Sequence, residues 1–155
     1  MKEYRLATNT HVAAPLEKTF AFFADAANLE RLTPSELGFA IATPQPIEMR
    51  EGALIDYTIR LWGIPMRWKT RIAVWEPGIR FVDEQLSGPY RKWVHTHRFT
   101  SVDGGTDIDD EVVYALPLGP LGQLVAPLIR MQLGRIFRFR EIAVSRILNA
   151  PGGGA

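Results

Sequence analysis

Cysteine is missing from all 155 residues. Its absence excludes a disulfide scaffold and thiol catalysis and permits a reducing compartment. An excess of charge of one sign is missing too. Lys plus Arg number 18 and Asp plus Glu 17, for a net charge of +1, so no nucleic-acid partner is expected. No stretch approaches the roughly 20 apolar residues of a membrane span, and the N-terminal MKEYRLATNTHVAAPLEKTF has no apolar run of signal-peptide length. A cytoplasmic protein with no integral membrane segment is the expectation. P-loop, GxGxxG, HExxH and GxSxG patterns are all lacking, so no cofactor is expected.

What is present reads as one domain over residues 1–149, followed by a Gly-rich tail at 150–155 that we expect to be disordered. The stretch from Leu121 to Leu148 organises the chain. Leu121, Leu124/Val125, Leu128, Leu133, Ile136/Phe137, Ala143/Val144 and Ile147/Leu148 recur at helical spacing, which predicts one broad apolar face. Such a helix would be roughly 40 Å long. Pro127 predicts a start or a kink near it. Arg130, Arg135, Arg138, Arg140 and Arg146 make the helix basic, read as a solvated face. Those charges leave open weak membrane-surface contact or an anionic ligand, and weak homo-oligomer contact is left open as well.

Upstream, alternation over Tyr4–Val12 predicts a strand, Pro15 opens a helix through LEKTFAFFADA, and 25–32 gives a second short helix stopped before Pro34. After a short strand at Phe39, Ile41 and Thr43, a meander of five strands follows, at about 53–62, 65–76, 79–87, 90–102 and 106–115. Its turns are Gly63-Ile64, Pro77-Gly78, Ser87-Gly88-Pro89, and Asp103-Gly104 or Gly104-Gly105. A turn at Gly63-Ile64 pairs Ile59 with Trp68 and Tyr57 with Thr70; one at Pro77-Gly78 pairs Val74 with Phe81. Alternation then places Tyr57, Trp68, Val74, Phe81, Asp83, Gln85, Trp93, His95, His97, Phe99, Asp110 and Tyr114 on the inner face. Arg67, Lys69, Arg98 and Glu111 fall outside.

That inner face is the informative feature. Buried ionisable groups are costly unless paired or watered. Asp83, Gln85, His95, His97 and Asp110 therefore stand as a structural network, as the polar patch of an apolar pocket, or as a catalytic dyad of one histidine and Asp110. The His95-x-His97 spacing with Asp83 or Asp110 imitates a zinc set, but with no cysteine we assign no metal. The pocket reading takes Tyr57, Trp68, Phe81, Asp83, Gln85, Trp93, His95, His97, Phe99, Asp110 and Tyr114 as ligand-binding, with Leu128 and Met131 contributed by the helix. The partner would be a small hydrophobic molecule with a hydrogen-bonding head. The rivals are a filled core with surface protein contacts, and lipid handling at a membrane.

FVDEQLSGPYRKWVHTHRF at 81–99, GGTDIDDEVVYALPLG at 104–119 and LTPSELGF at 32–39 resemble a bacterial subgroup of small stand-alone proteins in the START/SRPBCC superfamily. That superfamily holds START domains, the birch-pollen allergen and polyketide cyclase/dehydrase-like proteins, and the resemblance covers residues 4–149. It implies an α+β helix-grip fold, in which a curved antiparallel sheet wraps a long C-terminal helix and two short helices follow strand 1. It also implies a cavity between sheet and helix. Its members bind lipids, polyketides, hormones or quinones, and some catalyse. The resemblance supplies no universal catalytic residue to place here and decides no activity.

Overall fold

The computed structural model describes residues 1–149; the Gly-rich tail at 150–155 lies outside the described residues. In chain order the elements are β1 (Tyr4–Val12), α1 (Leu16–Ala24), β2 (Ala40–Ile41), β3 (Leu54–Leu61), β4 (Ile64–Glu76), β5 (Arg80–Ser87), β6 (Lys92–Val102), β7 (Gly105–Ala115) and α2 (Gly119–Leu148). Two 3₁₀ segments, Ala26–Leu32 and Ser35–Leu37, stand between α1 and β2. The first is the expected second helix in a tighter form, started by the Asp25 side chain accepting from the Ala27 N–H. The strands form one curved antiparallel sheet in the order β1-β7-β6-β5-β4-β3-β2, with α1 and α2 against it.

Register corrects two details. The β3–β4 turn is Trp62-Gly63, not Gly63-Ile64, so Tyr57 pairs with Trp68 and Ile59 with Met66. Both turn residues have positive φ, 55° and 79°, as the tight hairpin turn requires. The slip is two residues, so every side chain keeps its face. The second detail does change faces. A bulge between Ile72 and Val74 adds a residue to β4, so Trp75, not Val74, pairs with Phe81. Trp75 then packs inward on Phe20 and Phe81. The β6–β7 turn is Asp103-Gly104, which sets His97 opposite Asp110 and Trp93 opposite Tyr114.

Helix α2 starts before Pro127 and runs through it. Its buried residues are Gly122, Ala126, Leu133, Phe137, Val144 and Leu148. The expected apolar face is therefore wrong in the first half: Leu121, Leu124, Leu128 and Met131 are 66%, 77%, 51% and 64% exposed. The cause is local. A Cβ at Gly122 would sit 2.0 Å from the Pro117 carbonyl oxygen, so the chain entering the helix lies directly on this glycine. That close approach turns the small residues inward and the leucines outward. The core gathers in two main clusters. One surrounds Trp68, Tyr90, Trp93 and Tyr114; the other holds Phe20, Phe22, Phe23, Phe81 and Phe99.

Candidate functional site

Between the concave sheet and the second half of α2 lies a cavity of about 160 Å³. Tyr57, Trp68, Thr70, Phe81 and Trp93 line it from the sheet, Leu29, Leu32 and Leu37 from the 3₁₀ segments, and Leu133, Ile136, Phe137 and Arg140 from α2. A larger hollow of about 240 Å³ lies over β1, β7 and β6, but Arg5, Arg98, Asp109 and Glu111 dominate its lining and its wall is mainly polar. The inner cavity is the candidate site because it combines apolar area with a few polar groups.

Those groups come from β5, β6 and β7. Alternation along β6 points Trp93, His95, His97 and Phe99 inward together, and β7 sets Asp110 behind them. His95 Nε2–H donates to Asp110 Oδ1 at 2.8 Å, and His97 Nε2–H donates to Asp83 Oδ2 at 2.6 Å. His97 Nδ1 also comes within 3.1 Å of Asp110 Oδ1, but without hydrogen-bond geometry. The imidazoles stack on each other at 3.7 Å, and Phe81 covers the other face of His97 at 4.1 Å. His95, His97 and Asp110 are all buried, and Asp83, His95 and His97 face the cavity.

The two histidines titrate in opposite directions. Burial pushes His95 down, and the charge of its neighbour His97 adds to that, more than Asp110 and Asp83 restore. Burial would push His97 down as well, but the carboxylates of Asp110 and Asp83 outweigh it and hold it above the usual histidine range. Burial would raise both aspartates, yet hydrogen bonds and the charges of the histidines hold Asp83 low and Asp110 far lower. Between the two imidazoles the proton is favoured on His97, which lies between two carboxylates, over His95. With its proton on Nε2 toward Asp110, His95 keeps an Nδ1 lone pair 3.9 Å from Asp83 Oδ2. Tyr57 stays a neutral phenol, because burial, reinforced by Asp83, pushes it up.

Asp83, His95 and His97 also offer one ligand atom each within 4.8 Å of one another, the composition of a two-histidine, one-carboxylate metal set. Their hydrogen bonds account for their burial without an ion.

The remaining expected site residues fall elsewhere. Gln85 does not line the cavity. Its side chain clamps the β5–β6 turn, donating to the Tyr90 carbonyl at 2.6 Å and accepting from the Tyr90 N–H at 3.1 Å. A Cβ at Gly88 would lie 2.5 Å from that Gln85 oxygen, so only glycine leaves room for the clamp. Phe99 packs against Phe20 and Phe23, and Tyr114 stacks on Tyr4. Leu128 and Met131 face solvent, for the reason given by the phase of α2. Sequence reasoning read Arg140 with the other helix arginines as part of a solvated face, with an anionic ligand as the alternative, and did not place it in the cavity wall. Its Nε and Nη2 are buried and have no hydrogen-bond partner, and its guanidinium carbon lies 5.7 Å from the Phe23 ring centroid. The signal was available: 133, 137, 140, 144 and 148 form a continuous helical stripe.

A family model described as polyketide cyclase / dehydrase and lipid transport matches residues 12–138. The chain belongs to that family. This polyketide cyclase / dehydrase and lipid transport family member shares its fold with the Zhui aromatase/cyclase from Streptomyces sp. R1128, at a TM-score of 0.73 and 14% identity over 92% of each chain. A START superfamily protein from Mycobacterium smegmatis aligns at a TM-score of 0.67 and 14% identity, covering 92% of this chain and 97% of its own. A nucleoside-diphosphate sugar epimerase from Corynebacterium glutamicum reaches 24% identity at a TM-score of 0.66, over 92% of this chain and 29% of the epimerase. Among curated proteins no relative matches. The helix-grip arrangement implied by the sequence is the fold of the molecule. Among the described residues, no helix is long and apolar enough to cross a membrane.

Proposed function

We propose that this protein binds a small, mainly apolar molecule in the inner cavity, with a polar head toward the Asp83–His97–His95 cluster and its body against Trp68, Trp93 and Leu133. One observation carries the reading: residues that wall an aromatic-lined space hold buried polar atoms that the fold leaves unpartnered. Trp68 Nε1 and two nitrogens of Arg140 are buried without partners, and both residues line the same cavity. Buried polar groups are normally satisfied, so a ligand that satisfies them gains the hydrogen bonds the empty protein forgoes.

Volume bounds the ligand. A cavity of roughly 150 Å³ holds one benzene, whereas drug-sized ligands occupy roughly 300–1,000 Å³. At about 160 Å³ this cavity fits a single ring or a short chain. A long-tailed quinone or multi-ring polyketide would need the wall to move. Native mass spectrometry of freshly purified protein, followed by extraction, tests the reading directly. Tryptophan fluorescence titration with single-ring quinones, short fatty acids and small aromatic acids complements it. We expect a retained or added ligand that perturbs Trp68 and Trp93. No retained mass and no binder in the panel would leave a filled core with function on the surface.

A second reading is favoured by the free Nδ1 lone pair of His95. A neutral imidazole whose other nitrogen is held by a buried carboxylate is arranged as a general base. In a cyclase- or dehydratase-type reaction, His95 Nδ1 would take a proton from a carbon beside a carbonyl, and Asp110 would hold the imidazole. Turnover surviving in His95→Asn would exclude that role.

A further inference from the structure

Among all the charged side chains of α2, Arg140 alone is placed inside the cavity while its charge lacks an acidic partner within ion-pair range among the described residues. The two orphaned nitrogens are informative as a pair. Nε–H and Nη2–H lie along one edge of the guanidinium plane and point the same way, about as far apart as the two oxygens of a carboxylate. This is the edge that receives a carboxylate through two parallel hydrogen bonds. The nearby Phe23 ring can stabilise the cation through its face, but a ring accepts nothing from the in-plane N–H groups. Asp83 shares the cavity wall with Arg140 but is already engaged by His97, and Asp110 and Glu141 share a small hollow with Arg140; none of the three makes an ion pair with it.

We propose that Arg140 anchors a carboxylate, and that the molecule taken by the cavity is therefore a small carboxylic acid with an apolar body of one ring or a short chain. The inference rests on the cavity-binding reading and narrows it. The acid's oxygens would meet Arg140 Nε and Nη2, and its body would extend along Tyr57 and Trp68, both in the same wall. Docking a carboxylate there gives two buried, unpartnered donors a charged acceptor, which favours acids over neutral molecules of the same shape.

The test compares benzoate, phenylacetate and hexanoate with their three amides, by isothermal titration and by the arginine Nε–H region of a ¹H–¹⁵N spectrum. In the wild-type protein at least one acid should bind about tenfold or more tighter than its amide. It should also shift downfield a single Nε–H signal, the one that disappears in Arg140→Met. In Arg140→Met the acid should lose its advantage while the amide binds as before, and Arg140→Lys should restore only part of the preference because an ammonium lacks the fork. In acid-free buffer Arg140→Met should melt at or above the wild-type temperature, since it removes a charge that has no partner. If acid and amide bind equally, the anchor is overturned and the cavity reading stands. If neither series binds, both fall. A lower melting temperature for Arg140→Met without acid would show that the guanidinium already has a partner in the fold, and would also overturn the proposal.

Discussion

The first half of α2 reverses the usual rule for an amphipathic helix, and the second half obeys it. From Gly119 to Met131 the helix shows Leu121, Leu124, Val125, Leu128 and Met131 to solvent and buries Gly122 and Ala126. From Leu133 to Leu148 it buries Leu133, Phe137, Val144 and Leu148 and places an arginine on the same stripe. A helix is a rigid rotor: fixing the phase at one end fixes it at the other. Here Gly122 under the Pro117 carbonyl sets the entry, and the Tyr4 hydroxyl holds Gln123 in the same turn. The second half then seats its large side chains over the cavity, and the first half's leucines are left outside. Hydrophobicity is thus obeyed where the helix covers the concave sheet, and backbone sterics decide where it enters.

The sharpest contrast is a pair of truncations on the one helix. Phe137→Ala removes a buried ring that faces His95 at 5.5 Å and should cost about 3–5 kcal/mol. It should also enlarge the cavity and let larger aromatics bind. Denaturant unfolding of Phe137→Ala beside Leu128→Ala checks this. Equal losses in the two variants would contradict the phase of the helix.

Asp110→Ala comes next. Asp110 is the buried acceptor for His95 and the counter-charge of His97. Deleting it strands His95, takes one of two carboxylates from His97 and should cost about 3 kcal/mol; Asp110→Asn should recover part of that, because the shape and one acceptor remain. An Asp110→Ala protein with wild-type melting and unchanged histidine titrations would rule out the network.

The pH dependence follows from the same four groups. Asp83 and Asp110 are depressed in the folded protein. Their contribution is present above the ordinary carboxylate value of 3.8 and is lost as pH falls through their folded values. His97 is raised. Its contribution is complete below 6.5 and is lost as pH rises through its folded value. His95 is lowered, so it acts oppositely: stability falls as pH drops below 6.5 toward its folded value. The two histidines act in adjacent windows, His95 below 6.5 and His97 above it, so stability peaks near 6.5 and falls on both sides, with the aspartates adding to the acid limb. Imidazole NMR should find the two buried histidines titrating on either side of 6.5, and Asp83→Asn should bring His97 down. Coincident titration of both would break the assignment.

How much of this was legible depended on the kind of periodicity involved. Period-two alternation put Trp68, Trp93, His95, His97 and Asp110 inside, and it survived a wrong turn because a slip of two residues preserves faces. It failed at Trp75, where the β4 bulge adds one residue that no pattern announces. In α2 the apolar residues of the first half formed a convincing face, yet the phase came from one glycine's contact with the preceding turn. Arg140 was misplaced by the rule that charge seeks water. Its place on the 133–148 stripe argued otherwise, and recognition in a cavity is the setting in which that rule yields.

The smallest expected effect probes the outer half of the helix. Leu128 and Met131 are more than half exposed, so replacing them forfeits little burial. Leu128→Gln and Met131→Gln should each change stability by no more than about 0.5 kcal/mol. Helix propensity barely enters, since glutamine ranks close to leucine and methionine. Neither change should alter binding of any ligand in the cavity, because neither residue reaches its wall. The sequence reading that made both residues ligand contacts demands the opposite, a loss of affinity with each substitution. A titration of the double variant Leu128→Gln/Met131→Gln against a ligand bound by the wild type therefore decides between the two phases of α2. Unchanged affinity supports the phase in which Leu133, Ile136, Phe137 and Arg140 form the helical wall. A clear loss would overturn that phase, since a rigid helix cannot turn its first half inward alone.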